Sequence, residues 1–265
     1  MYAFNYHRPT TVRAVTTALA KAEDAKLLAG GQTLIPTLKQ RLASPANIVD
    51  LGKVEGMSGI EIKGRTLSIG AMTRHADVAS NATVQEAIPS LAALANGIGD
   101  PQVRNRGTIG GSIANNDPAA DYPAACLALG ATIVTNKRKI AADEFFTGMF
   151  DTALEEGEVI TKVTFPIPSK SAYVKFPNPA SRYALVGVYV SKKGKDVRVA
   201  VTGAGSNGVF RHKAAEDALS AKFNAKSLDG VKTSASGLNG DLHASAEYRA
   251  HLIGVLAKRA VAAAS

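Results

Sequence analysis

The sequence is nearly without cysteine, and its histidines are few and scattered. Cys126 is the single cysteine among 265 residues and lies between small and apolar neighbours. One thiol excludes disulfides within the chain and cysteine-rich zinc or iron–sulfur sites, and its neighbours predict core packing. The five histidines include no pair at metal-ligand spacing. We therefore predict no metal centre held by this chain alone.

Long apolar runs are also missing. No stretch is long enough to span a bilayer, and the N-terminal residues "MYAFNYHRPTTV" lack the basic and apolar regions of a secretory signal. We therefore expect a cytoplasmic protein without a membrane span. The length allows two or three compact units.

Basic residues exceed acidic ones, and the net charge of +9 would suit nucleic acid, an acidic partner or an anionic cofactor. The densest basic clusters, "NKRK" at 136–139 and "KKGK" at 192–195, lie between β-like runs and are predicted to be solvated hairpin tips. No aromatic residues interleave with them, as binding of single-stranded nucleic acid would require. Nucleic acid is therefore not an expected partner.

The sequence does contain two glycine-rich segments beside predicted helices. In the first, "KLLAGGQTLIP" at 26–36, a short strand leads into Gly30 and Gly31, and a helix is predicted to begin between Thr33 and Pro36. Glycines remove the β-carbons that keep a ligand away from the main chain, and a helix N-terminus favours phosphate. An ordinary strand-to-helix turn would show the same pattern.

The second segment, "RNRGTIGGSIANNDPAADYPAA" at 104–125, places Gly107, Gly110 and Gly111 among polar residues. Two loops with free backbone donors in one unit could hold opposite sides of a pyrophosphate, whereas a single phosphate needs only one. A glycine-rich bend between two packed sheets is the alternative for this segment alone.

The order of predicted elements divides the chain near residue 168. A helix at 11–22 and strands at 25–28 and 47–51 predict a small α/β half over about 1–55. A larger half over about 56–168 begins with an antiparallel hairpin at 60–71. Prolines at 166, 168, 177 and 179 mark the boundary. Residues 169–265 are predicted to form a C-terminal unit with a hairpin at 186–205 and helices at 211–223 and 245–264.

The C-terminal unit carries a third glycine pattern, G-x-G-x-x-G at Gly203, Gly205 and Gly208, with Asp229 at about the distance of a ribose-binding acid. A nicotinamide site would need that acid at the end of a second parallel strand, and residues 224–245 contain no apolar run to form one. The strand before the loop is also predicted to be half of a hairpin. We therefore predict a structural turn and no dinucleotide site.

The ordered motifs "AGGQTLIP" and "RNRGTIGGSIANNDPAADYPAA", followed by "VTGAG" and a terminal "SAEYRAHLIGVLAKRA", resemble the FAD-binding medium subunit of the molybdenum hydroxylases, in particular the carbon monoxide dehydrogenase branch. The resemblance implies an α+β fold. A two-part FAD-binding domain of the vanillyl-alcohol oxidase type would occupy 1–168, and a C-terminal α+β domain of the CO dehydrogenase flavoprotein type would occupy 169–265. It also implies one FAD held without a covalent link.

The resemblance further implies which residues bind FAD. It places the first pyrophosphate loop at Ala29, Gly30, Gly31, Gln32, Thr33 and Leu34, the second at Thr108, Ile109, Gly110, Gly111 and Ser112, and other contacts at Asp121, Ile160 and Lys175. Gln32 and Ser112 replace a histidine and an asparagine frequent in the family, and neither change removes a backbone donor. Arg182 and Tyr183 are further candidates, although the acidic residue that often follows this arginine is missing.

The implied activity is electron transfer, with no catalytic residue acting on an organic substrate in this chain. A large molybdopterin-binding subunit would oxidise the substrate, and a small iron–sulfur subunit would pass the electrons to FAD and on to an external acceptor, in a dimer of heterotrimers. The sequence agrees, because it shows no Ser-His-Asp order and no evident acid–base pair of carboxylates. The alternatives are a self-contained flavin or nicotinamide-dependent oxidoreductase and a basic, non-enzymatic binding protein.

Overall fold

The structure is a computed structural model that describes residues 1–264, and it begins with a small parallel sheet. The elements are β1 (Asn5–His7), α1 (Val12–Lys21), β2 (Ala25–Leu28), α2 (Leu34–Lys39) and β3 (Asn47–Asp50). β3 lies between β1 and β2 and runs parallel to both. The Thr11 hydroxyl caps α1 by accepting a hydrogen bond from the Ala14 amide at 3.1 Å. The helix and strands predicted for this part of the chain are confirmed.

A five-stranded antiparallel sheet and a group of helices follow. The elements are β4 (Ile60–Lys63), β5 (Thr66–Gly70), α3 (His75–Ser80), α4 (Ala82–Ala87), α5 (Pro89–Asn96), α6 (Pro101–Arg104), α7 (Ile109–Asn115), α8 (Tyr122–Leu129), β6 (Thr132–Thr135), β7 (Lys139–Ala141), α9 (Ala142–Phe145), β8 (Phe146–Gly148), β9 (Asp151–Thr152) and β10 (Ile160–Pro166). The strand order is β4-β5-β10-β6-β7, so the last strand returns to the middle of the sheet.

The C-terminal part is a second antiparallel sheet with helices on one face. It contains β11 (Lys170–Pro177), β12 (Ala184–Lys193), β13 (Asp196–Thr202), β14 (Phe210–Arg211), α10 (Lys213–Ala221), a 3₁₀ turn (Ala225–Leu228) and α11 (Ala246–Ala263). Its strands pair in chain order. The predicted hairpin and both helices are confirmed, and "NKRK" and "KKGK" lie at the β6–β7 and β12–β13 turns as expected.

Helix α8 joins the two parts of the molecule. All eight of its residues are buried, as expected of a helix that is apolar on every side. One core contains Cys126 of α8 together with Tyr189 and Ala200 of the C-terminal sheet, and a second core lies between that sheet and α10 and α11. The residue before α8, Asp121, is therefore placed where the two parts meet.

Candidate functional site

A single large cavity brings together most of the residues that the sequence analysis selected. It has a volume of about 610 Å³. Twelve of the fourteen selected residues line it: Ala29, Gly30, Gly31, Gln32, Thr33, Leu34, Thr108, Gly110, Gly111, Ser112, Asp121 and Ile160. We call it the main cavity, residues 29–34 the first glycine segment, and residues 107–112 the second glycine segment.

The first glycine segment connects β2 to α2 and presents free backbone donors. Within residues 1–264, no amide from Gly30 to Thr33 donates a hydrogen bond to another backbone group. Gly31 has a φ of +75°, a conformation that glycine adopts without strain. Buried or half-buried amides without partners are costly unless a ligand or water accepts their hydrogen bonds. This row of donors is therefore suited to an anionic group in the cavity.

The second glycine segment differs from the expected open row of donors. The Ile109 amide donates to the Thr73 carbonyl at 3.1 Å, the Gly110 amide to the Ala71 carbonyl at 2.8 Å and the Ser112 amide to the Thr108 carbonyl at 3.0 Å. These bonds arise because the segment forms a short bridge with residues 71–75 and then begins α7. The Thr108 hydroxyl accepts a hydrogen bond from the Gly111 amide at 3.2 Å. Most backbone amides of the second glycine segment are therefore already bonded within the protein, and the Ser112 side chain is more accessible to a ligand in the cavity than they are.

Ile109 and Lys175 are the two selected residues that do not line the cavity. Ile109 is fully buried in the core, because its position on the first turn of α7 faces the packed interior. Lys175 reaches the cavity indirectly, since its Nζ lies 3.1 Å from Oδ1 of Asp121, a lining residue that is only 5 % exposed. Burial raises the pKa of Asp121, and the nearby Lys175 ammonium opposes that rise.

Arg182 and Tyr183 lie at the edge of the main cavity, on the turn between β11 and β12. Arg182 has a φ of +62°, and its Nη1 donates to the Gly99 carbonyl at 3.4 Å. Tyr183 is 51 % exposed. The C-terminal part therefore contributes to the cavity wall, as the sequence analysis suggested for these two residues.

Several lining residues were missed by the sequence analysis, and His75 is the most informative. It is buried, its Nδ1 has no hydrogen-bond partner among the described residues, and its ring centroid lies 5.3 Å from that of Tyr122. Burial, assisted by the charge of Arg104, lowers the pKa of His75 to about 4. The ring is therefore neutral at pH 7. Its position beside the second glycine segment depends on the bridge between residues 74 and 108, which no local sequence pattern predicts.

The third glycine pattern is a structural turn, as predicted. β13, which precedes it, pairs antiparallel with both β12 and β14, whereas a nicotinamide fingerprint follows a parallel strand. Asp229 follows the 3₁₀ turn and forms an ion pair with Lys258 at 2.8 Å. None of the three glycines lines the main cavity.

Metal-binding clusters and membrane-spanning helices are both missing from the part of the chain that the structure describes. Across residues 1–264 there is no cluster of three or more His, Cys, Asp or Glu side chains arranged to hold a metal ion. No helix in the same range has the length and apolar character needed to cross a membrane. Cys126 is fully buried, and burial raises its pKa, so the prediction of core packing is confirmed.

Comparison with known proteins agrees with the geometry. Residues 2–168 match the family described as the FAD binding domain in molybdopterin dehydrogenase, and residues 171–264 match the CO dehydrogenase flavoprotein C-terminal domain. The chain is 36 % identical to the carbon monoxide dehydrogenase medium chain of Hydrogenophaga pseudoflava, with 98 % of this chain and 96 % of that protein covered. It is also 36 % identical to the nicotine 6-hydroxylase medium subunit of Paenarthrobacter nicotinovorans, over the same shares of the two chains.

The fold is shared as well as the sequence. A solved structure of the Hydrogenophaga pseudoflava carbon monoxide dehydrogenase, in a form lacking the Mo-pyranopterin moiety, superimposes with a TM-score of 0.90 at 37 % identity, covering 99 % of this chain and 97 % of that one. The expected two-part FAD-binding domain and flavoprotein C-terminal domain are thereby confirmed. The chain belongs to the FAD-binding subunits of the molybdenum hydroxylases, a family of multi-subunit oxidoreductases, and its cofactor is FAD.

Proposed function

We propose that this chain is the electron-transfer subunit of a molybdenum hydroxylase complex, and that it passes electrons from partner iron–sulfur clusters through FAD to an external acceptor. The observation that carries the proposal is the main cavity, in which free amides from Gly30 to Thr33 face residues of the second glycine segment. A pyrophosphate is the part of FAD that needs such donors.

The residues of the main cavity fit FAD in size and chemistry. A volume of about 610 Å³ is in the range of cofactor sites. Apolar lining residues such as Leu51, Met72 and Ile160 can cover a flat ring, and Asp121 can accept hydrogen bonds from hydroxyl groups. When bound, FAD supplies the redox chemistry. The chain's own task is to hold the cofactor, orient it and exclude water from its buried side.

The proposed partners are a large molybdopterin-binding subunit and a small iron–sulfur subunit, in a dimer of heterotrimers. Both named relatives are medium subunits or chains of their enzymes, which supports a multi-subunit assembly. The cysteine content of this chain also supports a separate iron–sulfur subunit. Cys126, its one cysteine, is fully buried and cannot ligate a cluster that exchanges electrons at the surface.

The substrate of the complex does not follow from this subunit. Relatives of equal identity, 36 %, are named for carbon monoxide and for nicotine. If the substrate were selected by this chain, the main cavity would need residues that activate an organic molecule. Its acidic residues are instead held by neighbours within the protein: Asp117 accepts a hydrogen bond from the Ala119 amide, Asp121 is paired with Lys175, and Glu158 is paired with Arg138 at 3.1 Å. Burial would raise the pKa of Glu158, but hydrogen bonds from Arg138, the Glu155 amide and Thr135 lower it to about 2.

The alternative of a self-contained oxidoreductase finds less support in the fold. Such an enzyme would need a substrate-binding cap with acid–base groups above the flavin. The C-terminal sheet packs one face on α8 and the other on α10 and α11, so its two faces are already covered. Only the turn at 181–183 extends to the main cavity.

The proposal is tested by comparing the chain alone with the complex purified through a tag on this chain from its native cells. We expect the complex to contain molybdenum, iron and two further subunits, and its substrate to bleach the flavin bands under anaerobic conditions. The purified chain alone, loaded with FAD, should not oxidise aldehydes, purines or carbon monoxide. Substrate turnover by the metal-free single chain, or recovery of the chain from cells without partners, would contradict the proposed function.

A further inference from the structure

The carboxylate of Asp121 is directed away from its own helix. Asp121 precedes α8 at the position where an acidic side chain usually caps the helix by accepting a backbone hydrogen bond, yet it makes no such bond. Its oxygens instead accept hydrogen bonds from the Tyr173 hydroxyl and from Lys175 Nζ. Both donors lie on β11 in the C-terminal part. They share one face of the strand, because residues two apart point to the same side.

These contacts lead to an inference that rests on the proposed FAD site. We propose that Tyr173 is a positioning residue for FAD binding, and that Gly187 lacks a side chain so that the Tyr173 hydroxyl can reach Asp121. In this arrangement Tyr173 and Lys175 together fix the Asp121 carboxylate at the wall of the main cavity. The C-terminal sheet thereby becomes part of the cofactor site without its strands lining the cavity.

The position of Gly187 supports a steric role. Gly187 lies on β12, opposite Lys175. A β-carbon placed on Gly187 would lie 2.9 Å from Cγ2 of Thr202 and 3.0 Å from Cε2 of Tyr173, and closer still to the Tyr173 hydroxyl oxygen. Gly187 is not among the residues with positive φ, so its backbone conformation does not require glycine. Glycine is required at position 187 because the Tyr173 hydroxyl occupies the space that a β-carbon would fill.

The ring of Tyr173 is also held from its other side. Tyr173 pairs with Tyr189 across β11 and β12, and their ring centroids are 5.8 Å apart. The Tyr189 hydroxyl lies 2.6 Å from the Ser90 hydroxyl, which lies 2.6 Å from that of Ser171. The tyrosine that contacts Asp121 is therefore packed against a second tyrosine whose hydroxyl is bonded elsewhere. This second residue provides a matched control.

The pKa shifts of Tyr173 and Asp121 favour a neutral phenol that donates its hydrogen bond to a carboxylate. Burial raises the pKa of Tyr173 well above its usual value, with a contribution from the Asp121 charge. The phenol therefore remains a donor at neutral pH. Lys175 and Tyr173 both lower the pKa of Asp121 against the larger effect of burial. The neighbouring phenols of Tyr122 and Tyr183 have raised pKa values and stay neutral.

The test measures FAD affinity of the full-length apo chain by quenching of flavin fluorescence. A hydrogen bond to a buried carboxylate is worth enough for Tyr173→Phe to raise the Kd about tenfold. Gly187→Ala should act in the same direction and carries the test if Tyr173→Phe does not fold. In Tyr189→Phe, which removes a hydroxyl bonded to Ser90, we expect lower stability with an unchanged Kd.

Two readouts separate positioning from loss of stability. In an Asp121→Ala background, Tyr173→Phe should change the Kd less than about twofold, because the carboxylate that it positions is gone. Acidification should weaken FAD binding at a higher pH in Tyr173→Phe than in the wild type, because the hydrogen bond that lowers the Asp121 pKa is lost.

The possible failures are distinguishable. A wild-type chain that takes up no FAD contradicts the proposed function itself. Wild-type binding together with equal binding by Tyr173→Phe and Gly187→Ala overturns the positioning inference alone. The same is true if Tyr173→Phe weakens binding equally with and without Asp121, because its effect would then not pass through that carboxylate.

Discussion

Gly30 lies directly against Gly107, so the two glycine segments touch each other as well as the cavity. A β-carbon on Gly30 would lie 2.7 Å from Cα of Gly107 and closer still to the Arg106 carbonyl oxygen, and both approaches are shorter than van der Waals contact. The absence of a side chain at Gly30 is therefore needed for packing inside the protein. Neither the close approach of a ligand nor the strand-to-helix turn, the two explanations considered for this glycine from the sequence, includes this contact with the second glycine segment.

Gly30→Ala should separate the two glycine segments. We expect the free energy of unfolding to fall by about 2 kcal/mol, because a methyl group forced against backbone atoms cannot be accommodated by side-chain movement, and FAD affinity to fall with it. Urea denaturation and FAD titration measure the two effects. Gly230→Ala is the control, since no atom lies within 4 Å of its added β-carbon. Equal behaviour of the two variants would show that the close contact is not needed.

Gly31→Val should remove FAD binding while much of the fold remains. Gly31 has a φ of +75° and its β-carbon would contact the flexible Ile35 side chain at 2.6 Å, so both the backbone conformation and the space disfavour a branched residue. Flavin absorbance of the purified variant, with circular dichroism as the folding check, gives the answer. A folded variant with full flavin content would exclude the first glycine segment as the phosphate site.

His75 should make the stability of the apo chain depend on pH between about 4 and 6.5. The unfolded chain binds a proton at His75 near pH 6.5, whereas burial and Arg104 delay protonation in the folded chain until about pH 4. The unfolded state thus binds more protons in this window, and the free energy of unfolding should fall on acidification by an amount on the order of 3 kcal/mol. Below pH 4 this contribution becomes constant.

The His75 effect is isolated by subtracting the urea-denaturation curve of His75→Gln from that of the wild type at each pH. Other titrating groups contribute to both chains and largely cancel. A difference that does not vary between pH 4 and 6.5 would mean that the folded protein accommodates a charged imidazole at this position.

The outcome at these sites shows what local sequence can predict. The glycine segments were recognisable because their pattern is contained within about ten residues, and twelve of the fourteen selected residues line one cavity. Local sequence could not predict which of their backbone amides are free to bind a ligand. The amides of Ile109 and Gly110 are already bonded to Thr73 and Ala71, which lie more than thirty positions earlier in the chain.

Contacts formed between distant strands were also beyond sequence reasoning. Tyr173 meets Asp121 because α8 packs on the C-terminal sheet through β12 and β13, which brings the start of α8 within reach of the neighbouring strand β11. Gly187 lies opposite Lys175 because of the register of β11 and β12. Periodicity predicts strands but does not fix which strand lies against which helix. The cytoplasmic location and the domain boundary at 168 stay predictions.

Gly205→Ala should leave FAD content unchanged and destabilise the C-terminal part. Its β-carbon would lie 3.0 Å from the Phe210 ring and closer to the Gly208 carbonyl oxygen, so we expect the free energy of unfolding to fall by roughly 2 kcal/mol. NADH affinity should be undetectable in both the wild type and the variant. Loss of FAD from a folded Gly205→Ala chain would relocate the cofactor to the C-terminal part.

The most direct test of the account is the flavin content of the purified chain after incubation with FAD and removal of the excess. We expect two visible flavin bands, one FAD per chain, and release of all the flavin into the supernatant on acid precipitation, because the cofactor is held by backbone donors and packing without a covalent bond. Flavin that remains with the precipitated protein, or a folded chain that takes up no FAD, would contradict the claim that this chain binds one FAD without a covalent bond.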